Sequence, residues 1–207
     1  AEAEIIKNTF GENKVLEVTG QPEIVPIWTA TKILWLKRHE KSLFEKVHKF
    51  QLVEDHLVSR LTGKYSTNAS MVTSTLYFDI LRRSWWNEMT GFLGISNDRL
   101  PEIIKPGQVV GELTDEAAME TGLGKSALVI SGTYDHAAGA LGTGNIKEGL
   151  VSETTGTALA MCVTLDKPLL SKELNLPCHC HAVDGKYFLL PYGQTAGMVL
   201  RWFRDEF

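Results

Sequence analysis

Residues 127–142 narrow the possible folds more than any other stretch of the chain. A short apolar run, Ala127-Leu-Val-Ile-Ser131, leads into Gly132-Thr-Tyr-Asp135-His136 and then into a glycine- and alanine-rich segment lasting to Gly142. That order predicts a buried strand, a tight bend and a closely packed helix over 134–142. A strand feeding a helix in this way belongs to the α/β class.

The remaining pattern agrees with that class. Ile33, Leu34 and Leu36 among basic residues predict an amphipathic helix over 31–39, followed by a helical turn at 42–47. A short strand is expected at 48–53, and a helix over 54–61 that Gly63 stops. Further helices are expected over 68–76 and 85–93, the second ending at Gly94. Pro101, Pro106 and Gly107 predict a loop crossing the surface. Thr114 caps an expected helix over 115–121, with Gly122 past its end. A hairpin over 150–163, a strand over 187–190 and a helix over 195–207 complete the reading, while the first 25 residues are weakly patterned.

A chain of 207 residues suffices for one large domain or for parts of two, and the glycines at 144–149 mark the expected boundary. Its net charge of −4 supplies no basic field for a nucleic-acid backbone. The three cysteines, Cys162, Cys178 and Cys180, are no disulfide framework and fit a reducing cytosol. No apolar run has the length of a membrane span, and no signal peptide pattern opens the chain. The sequence starts at Ala1 without a methionine and stops at Phe207 within a helical pattern, so both ends read as cut.

Two elements carry chemistry. Asp135 stands where an apolar strand meets a helix, and open α/β sheets bind ligands beyond the carboxyl ends of their strands. A carboxylate there either accepts a proton from a substrate hydroxyl or simply caps the helix; spacing leaves both open. Thr154-Thr155-Gly156-Thr157 lies between two strand-like runs. Its amides and hydroxyls either cradle phosphate oxygens or form a plain hairpin turn. Cys178-His-Cys-His181 suggests zinc by composition alone. Neighbours on a strand point to opposite faces, so four in a row do not converge on one ion, and buried thiols are the simpler expectation.

The two elements, with Thr157 twenty-two positions after Asp135, resemble the FGGY carbohydrate kinases. Several ordered motifs extend the resemblance from about Thr29 to Asp205. Trp28-Thr-Ala-Thr-Lys32-Ile-Leu-Trp35 is similar to the family's T/S-x-x-K-hydrophobic-x-W signature, and Asp55 to Gly63 to its D-x-L-x-x-x-L-T-G helix. Ser66-Thr-Asn-Ala-Ser70, Leu76-Tyr-Phe-Asp79, Leu100-Pro-Glu-Ile and Cys180-His-Ala-Val-Asp-Gly185 follow in family order, the last nearest to xylulokinase-like members. Ile27, Asp184 and above all His136, which stands where the family carries Asn or Gln, depart from the pattern.

The resemblance implies part of an actin-like ATPase (ribonuclease H-like) fold. Residues 1–146 would be the second half of the sugar-binding domain, and 147–207 the start of the nucleotide-binding domain. It implies transfer of a phosphoryl group from ATP, with Mg²⁺, to a sugar or polyol hydroxyl in a cytoplasmic enzyme. Asp135 would be the base, His136, Trp28 and Lys32 would meet the acceptor, and Thr155, Gly156 and Thr157 the nucleotide phosphates. No metal ligand is assigned, although Asp135 is placed to reach the ion through water. No nucleic acid or membrane partner is implied, and a homodimer of the full-length protein is compatible with it. The family's opening D-x-G-T-x-x-x-K/R turn and later G-G-x-x-x-S/N segment do not occur in these 207 residues, so no activity is expected from them alone. A scaffold that binds ATP without transfer is the alternative reading.

Overall fold

The computed structural model describes residues 1–207, and two helices that the sequence pattern leaves unmarked open it: α1 (Glu2–Phe10) and α2 (Glu12–Thr19). The next helix, α3 (Thr29–His39), keeps Lys37, Arg38 and His39 in its last turn, where positive charge suits the helix dipole. Its Ile33 and Leu34 join Ile6 of α1, Val15 of α2 and Phe44 of α4 (Lys41–Lys46) in the largest core cluster. Instead of the strand expected at 48–53, the chain there is irregular. Arg99 anchors it instead: its guanidinium donates to the Phe44 and Val47 carbonyls just before the segment at 2.6 and 2.8 Å, and its own carbonyl accepts the Phe50 amide within it at 2.9 Å.

Helix α5 (Val53–Thr62) ends as expected at Gly63, which takes the left-handed conformation. Its Asp55 accepts the Leu52 amide at 2.9 Å and is buried. Burial pushes the Asp55 carboxyl from the usual 3.8 up to about 6; the Leu52 amide and Thr67 hydroxyl act against the rise, and Glu54 adds to it. Because the folded value lies above the unfolded one, the folded chain holds this proton more tightly. The resulting stability is complete below about pH 4 and is lost as pH rises through about 6, a contribution of about 2–3 kcal/mol. Asp55→Asn keeps an acceptor for Leu52 but does not ionise. Its urea midpoint relative to that of the wild type is therefore expected to move in the variant's favour between pH 4.5 and 7.5.

Strand β1 (Ser66–Asn68) leads into the single turn α6 (Ala69–Val72), much shorter than the helix expected over 68–76. Asn68 acts as its cap, accepting the Met71 amide, and by Leu76 the backbone has turned to a φ of 68°. β2 (Phe78–Asp79) pairs with β3 (Ser84–Trp85), so the expected helix begins only at α7 (Asn87–Leu93). The proline- and glycine-marked stretch is not a bare loop. It holds β4 (Glu102–Ile104), parallel to β1, and β5 (Val109–Glu112). Helix α8 (Asp115–Thr121) is capped by Thr114 and closed by Gly122 as expected. β6 (Leu128–Ile130) runs antiparallel to β5, but Leu128 and Ile130 are 62% and 56% exposed. Within these 207 residues the strand expected to be buried pairs only with β5, and the burial begins at Ser131.

Helix α9 (Asp135–Gly142) is followed by β7 (Val151–Thr155), β8 (Leu159–Leu165), β9 (Cys178–Cys180), β10 (Tyr187–Leu189), β11 (Tyr192–Gly193) and α10 (Gly197–Glu206). β7 to β11 form one antiparallel sheet, with β7 on one edge of β8 and β10 and β11 on the other. One face of the sheet packs Cys178, Cys180, Tyr187 and Leu189 on Val72, Phe78 and Ile80. The opposite face packs Cys162, Phe188 and Leu190 under Ala137 and Ala140 of α9. Cys178 and Cys180 therefore face away from His179, which stacks on Phe188 with ring centroids 5.2 Å apart. The expected boundary at 146 falls in the turn between α9 and β7, while the core containing Phe78 and Cys178 joins residues from both sides of it. No helix is long and apolar enough to cross a membrane.

Candidate active site

The loop between β6 and α9 is held from outside at almost every peptide. Glu54 Oε1 accepts the Gly132 amide at 2.9 Å, and Asn68 Nδ2 donates to Ser131 Oγ at 2.7 Å and to the Gly132 carbonyl at 3.0 Å. Ser70 Oγ accepts the Tyr134 amide at 3.2 Å and shares a hydrogen bond with Thr133 Oγ1 at 2.5 Å. Side chains from α5, β1 and α6 thus fix a four-residue bend that has no ladder of its own. Sequence reasoning assigned none of them a role, and Asn68-Ala-Ser70 carries no signal of it beyond its place in a family-like motif.

This bend delivers Asp135. Tyr134 occupies the cap position, so Asp135 is the first helical residue and not the cap itself. Asp135 Oδ1 accepts the His136 amide at 2.8 Å, and the side chain is otherwise exposed. An aspartate in the first turn sits where the helix dipole favours negative charge. Beneath it, Tyr134 stacks on His179 (5.6 Å between ring centroids, 18° between planes), and His136 meets Tyr134 edge-on at 5.4 Å. Burial, with the Asp135 charge adding to it, pushes the Tyr134 hydroxyl up to about 12 and the Cys162 thiol up to about 11. Burial, followed by the nearby His136, pushes His179 down to about 3, so its ring is neutral.

The hairpin turn lies at the same end. Running back along β8, Thr164 bonds to Asn145 just beyond α9, Cys162 Sγ reaches the His136 carbonyl at 3.5 Å, and Ala160, like Tyr134, packs against the Ala137–Phe188 cluster. The turn that follows projects past the helix end that carries Asp135. Within it, the Gly156 amide donates to the Ala158 carbonyl at 2.9 Å and Thr155 Oγ1 to Glu153 Oε1 at 2.5 Å. Both are engaged internally, whereas the Thr157 amide and hydroxyl have no partner. The start of α10 fastens the turn: Ala196 and Gly197 amides donate to the Thr157 and Gly156 carbonyls, each at 2.9 Å. A Cβ at Gly197 would stand 2.5 Å from the Gly156 oxygen, so only glycine permits this approach without a shift.

The other expected acceptor contacts are placed differently. Trp28 precedes α3, is half-buried and donates Nε1 to the Glu23 carbonyl at 2.8 Å. It shares a small cavity of about 40 Å³ with Tyr192, whose partner on β8 is Ala160. Lys32 is exposed and lines a separate cavity of about 240 Å³ with Pro26, Thr31 and Trp35. A further cavity of about 940 Å³ lies beside β4 and contains none of these residues. Its cations are already occupied: Lys64 donates to the Val110 carbonyl at 2.7 Å, and Arg83 pairs with Asp184 at 2.8 Å. No cluster of three or more His, Cys, Asp or Glu side chains is arranged to hold a metal ion.

Comparison with known proteins follows the same lines. Residues 1–142 match the N-terminal domain of the FGGY family of carbohydrate kinases. The chain is 32% identical over 186 residues to a xylulose kinase of Klebsiella pneumoniae, which covers 90% of this chain and 38% of that protein. It is 32% identical over 207 residues to the xylulose kinase of Staphylococcus xylosus, covering 99% of this chain and 42% of the relative. The ligand-bound xylulose kinase from Lactobacillus acidophilus superposes with a TM-score of 0.90 at 24% identity, over 99% of this chain and 41% of that one. The chain spans about two fifths of the length of these relatives. The fold is accordingly a part of the actin-like ATPase fold expected from the motifs. With more than half its length inside the family's N-terminal domain, the chain belongs to the FGGY family of carbohydrate kinases.

Proposed function

We propose that this chain supplies the acceptor-side catalytic aspartate of an ATP-dependent kinase for a small sugar or polyol, with a ketopentose such as xylulose as the first acceptor to test. The observation that carries the reading is the exposed Asp135 carboxylate at the start of α9, on the end of the molecule where the 155–158 turn projects. An acceptor hydroxyl would donate to Asp135. As its oxygen bonds to the γ-phosphorus, the bond from that phosphorus to the bridging oxygen breaks, ADP leaves, and Asp135 takes the hydroxyl proton. Mg²⁺ bound to the nucleotide would neutralise phosphate charge. The residues present fit such an ion, because it is held chiefly by phosphates and waters and Asp135 leaves one carboxylate oxygen free to reach it through water.

His136, its ring lodged against Tyr134, would hydrogen-bond an acceptor hydroxyl, and Trp28 would wall the acceptor region; the exposed Lys32 lines a separate cavity, and its expected acceptor contact has no support from the geometry. Thr155 and Gly156 shape the turn, and Thr157 meets the phosphates with its free amide and hydroxyl. Thr157→Val in the full-length protein is expected to raise the KM for ATP about tenfold, the worth of one hydrogen bond to a charged group, with little change in the KM for the acceptor. Initial rates at varied ATP check this.

Residues 1–146 would form the acceptor side and 147–207 the start of the nucleotide side. The family's N-terminal domain ends at 142, which supports that division. The enzyme is read as cytoplasmic, in keeping with three free cysteines. The 207 residues alone are expected to give no turnover. The identifying experiment follows ADP release by the full-length protein with Mg-ATP across ketopentoses, aldonates and polyols. Strong release with one acceptor names the substrate. ATP binding without release for any acceptor would instead support a non-transferring scaffold, a reading that His136 in place of the family's Asn or Gln keeps alive.

A further inference from the structure

Glu54 is placed oddly for a helix surface residue. It lies in the first turn of α5, where a carboxylate needs no partner beyond the dipole. Yet Oε1 is committed to the Gly132 amide, seventy-eight residues away, and Oε2 is buried with no partner. Beside it stands the buried carboxylate of Asp55, whose Oδ1 has no hydrogen bond of good geometry although Thr67 and Glu54 lie close to the group. Two buried, unsatisfied carboxylate oxygens cost stability, and a native structure that retains them calls for a reason. The one long-range hydrogen bond of the Glu54 side chain is to the bend that ends at Asp135.

We propose that Glu54 is a positioning residue for phosphoryl transfer, holding the Gly132 peptide so that the bend delivers Asp135 to the acceptor hydroxyl. The proposal rests on the kinase reading of Asp135. Asn68 and Ser70 hold the same bend through the Gly132 carbonyl and the Tyr134 amide, but Glu54 alone holds the Gly132 N–H. Releasing it frees the first peptide of the bend, three residues before the base. Reacting groups displaced by about 1 Å lose on the order of 100-fold in rate, so a partial release should show chiefly in kcat.

Glutamine separates this role from plain charge. Glu54→Gln keeps an oxygen to accept from Gly132 and brings an N–H₂ that can donate to Asp55 Oδ1, while removing the charge. In the full-length protein, Glu54→Ala is expected to lower kcat about 10- to 100-fold. KM for ATP and acceptor should stay within about twofold, and amide hydrogen exchange of segment 131–134 should quicken about tenfold or more. Glu54→Gln is expected to restore both readouts. Two outcomes would overturn the proposal: Glu54→Ala with wild-type kcat and exchange, or Glu54→Gln as impaired as Glu54→Ala in both. If the wild-type protein transfers no phosphate, the kinase reading fails, while the exchange of 131–134 still decides whether Glu54 holds the bend.

Discussion

Asp135→Asn is expected to lower the kcat of the proposed phosphoryl transfer by the full-length protein about 10²- to 10⁴-fold, the range lost when a positioned general base is removed. Asparagine has the shape of aspartate and keeps an oxygen to accept the His136 amide, the one hydrogen bond Asp135 makes in this structure. The start of α9 and the Tyr134–His179–Phe188 stack beneath it are therefore retained. What would be lost, on the proposed reading, is the carboxylate lone pair that takes the acceptor proton. KM for ATP should change little, because on the proposed reading the nucleotide contacts would come from the hairpin turn. A variant that melts like the wild type, binds ATP like it and transfers at the same rate would remove Asp135 from proton transfer altogether.

Gly20→Ala is expected to be the most damaging single change to the fold among those considered. Gly20 closes α2 in the left-handed conformation, with a φ of 75°. Its carbonyl accepts the Cys178 amide at 2.9 Å, which ties α2 to the central sheet. A Cβ there would lie 2.2 Å from the Cys178 oxygen and 2.7 Å from Ile80 Cδ1. Cys178 and Ile80 are both fully buried, so neither yields without moving the sheet or the second core. The left-handed penalty of about 1 kcal/mol, the overpacking of about 1–3 and a lost hydrogen bond of about 1 together amount to about 3–5 kcal/mol. A protein of this size loses about 2–4 °C of Tm per kcal/mol, so a fall of about 10 °C is expected in thermal melts. A fall under about 2 °C would show that the α2–sheet junction is soft and that the close approach constrains nothing.

How far these features were legible depends on the range of the interaction behind each. Helix α8 could be read to the residue, because Thr114 and Gly122 are its own neighbours. The hairpin and its turn were legible for the same reason, as was the alternation that sends Cys178 and His179 to opposite faces. β4 was not, since its partner β1 lies more than thirty residues earlier and prolines mask its pattern. The missing strand at 48–53 is a tertiary effect: the Arg99 carbonyl accepts the Phe50 amide, while its guanidinium holds the Phe44 and Val47 carbonyls just before the segment. The exposure of Leu128 and Ile130 within these 207 residues has no local signal, because an apolar run looks alike whichever neighbours cover it. In the site, Asp135 and the 154–157 turn stood out through motif spacing. Glu54, Asn68 and Ser70 did not, because their partners lie more than sixty residues away.

The most direct test of the account is the phosphorus NMR spectrum of the full-length protein incubated with Mg-ATP and xylulose. The account predicts a phosphomonoester resonance that grows in step with ADP, one for one, and only when acceptor is present. ADP accompanied by inorganic phosphate alone, or ADP formed at the same rate without acceptor, would contradict it.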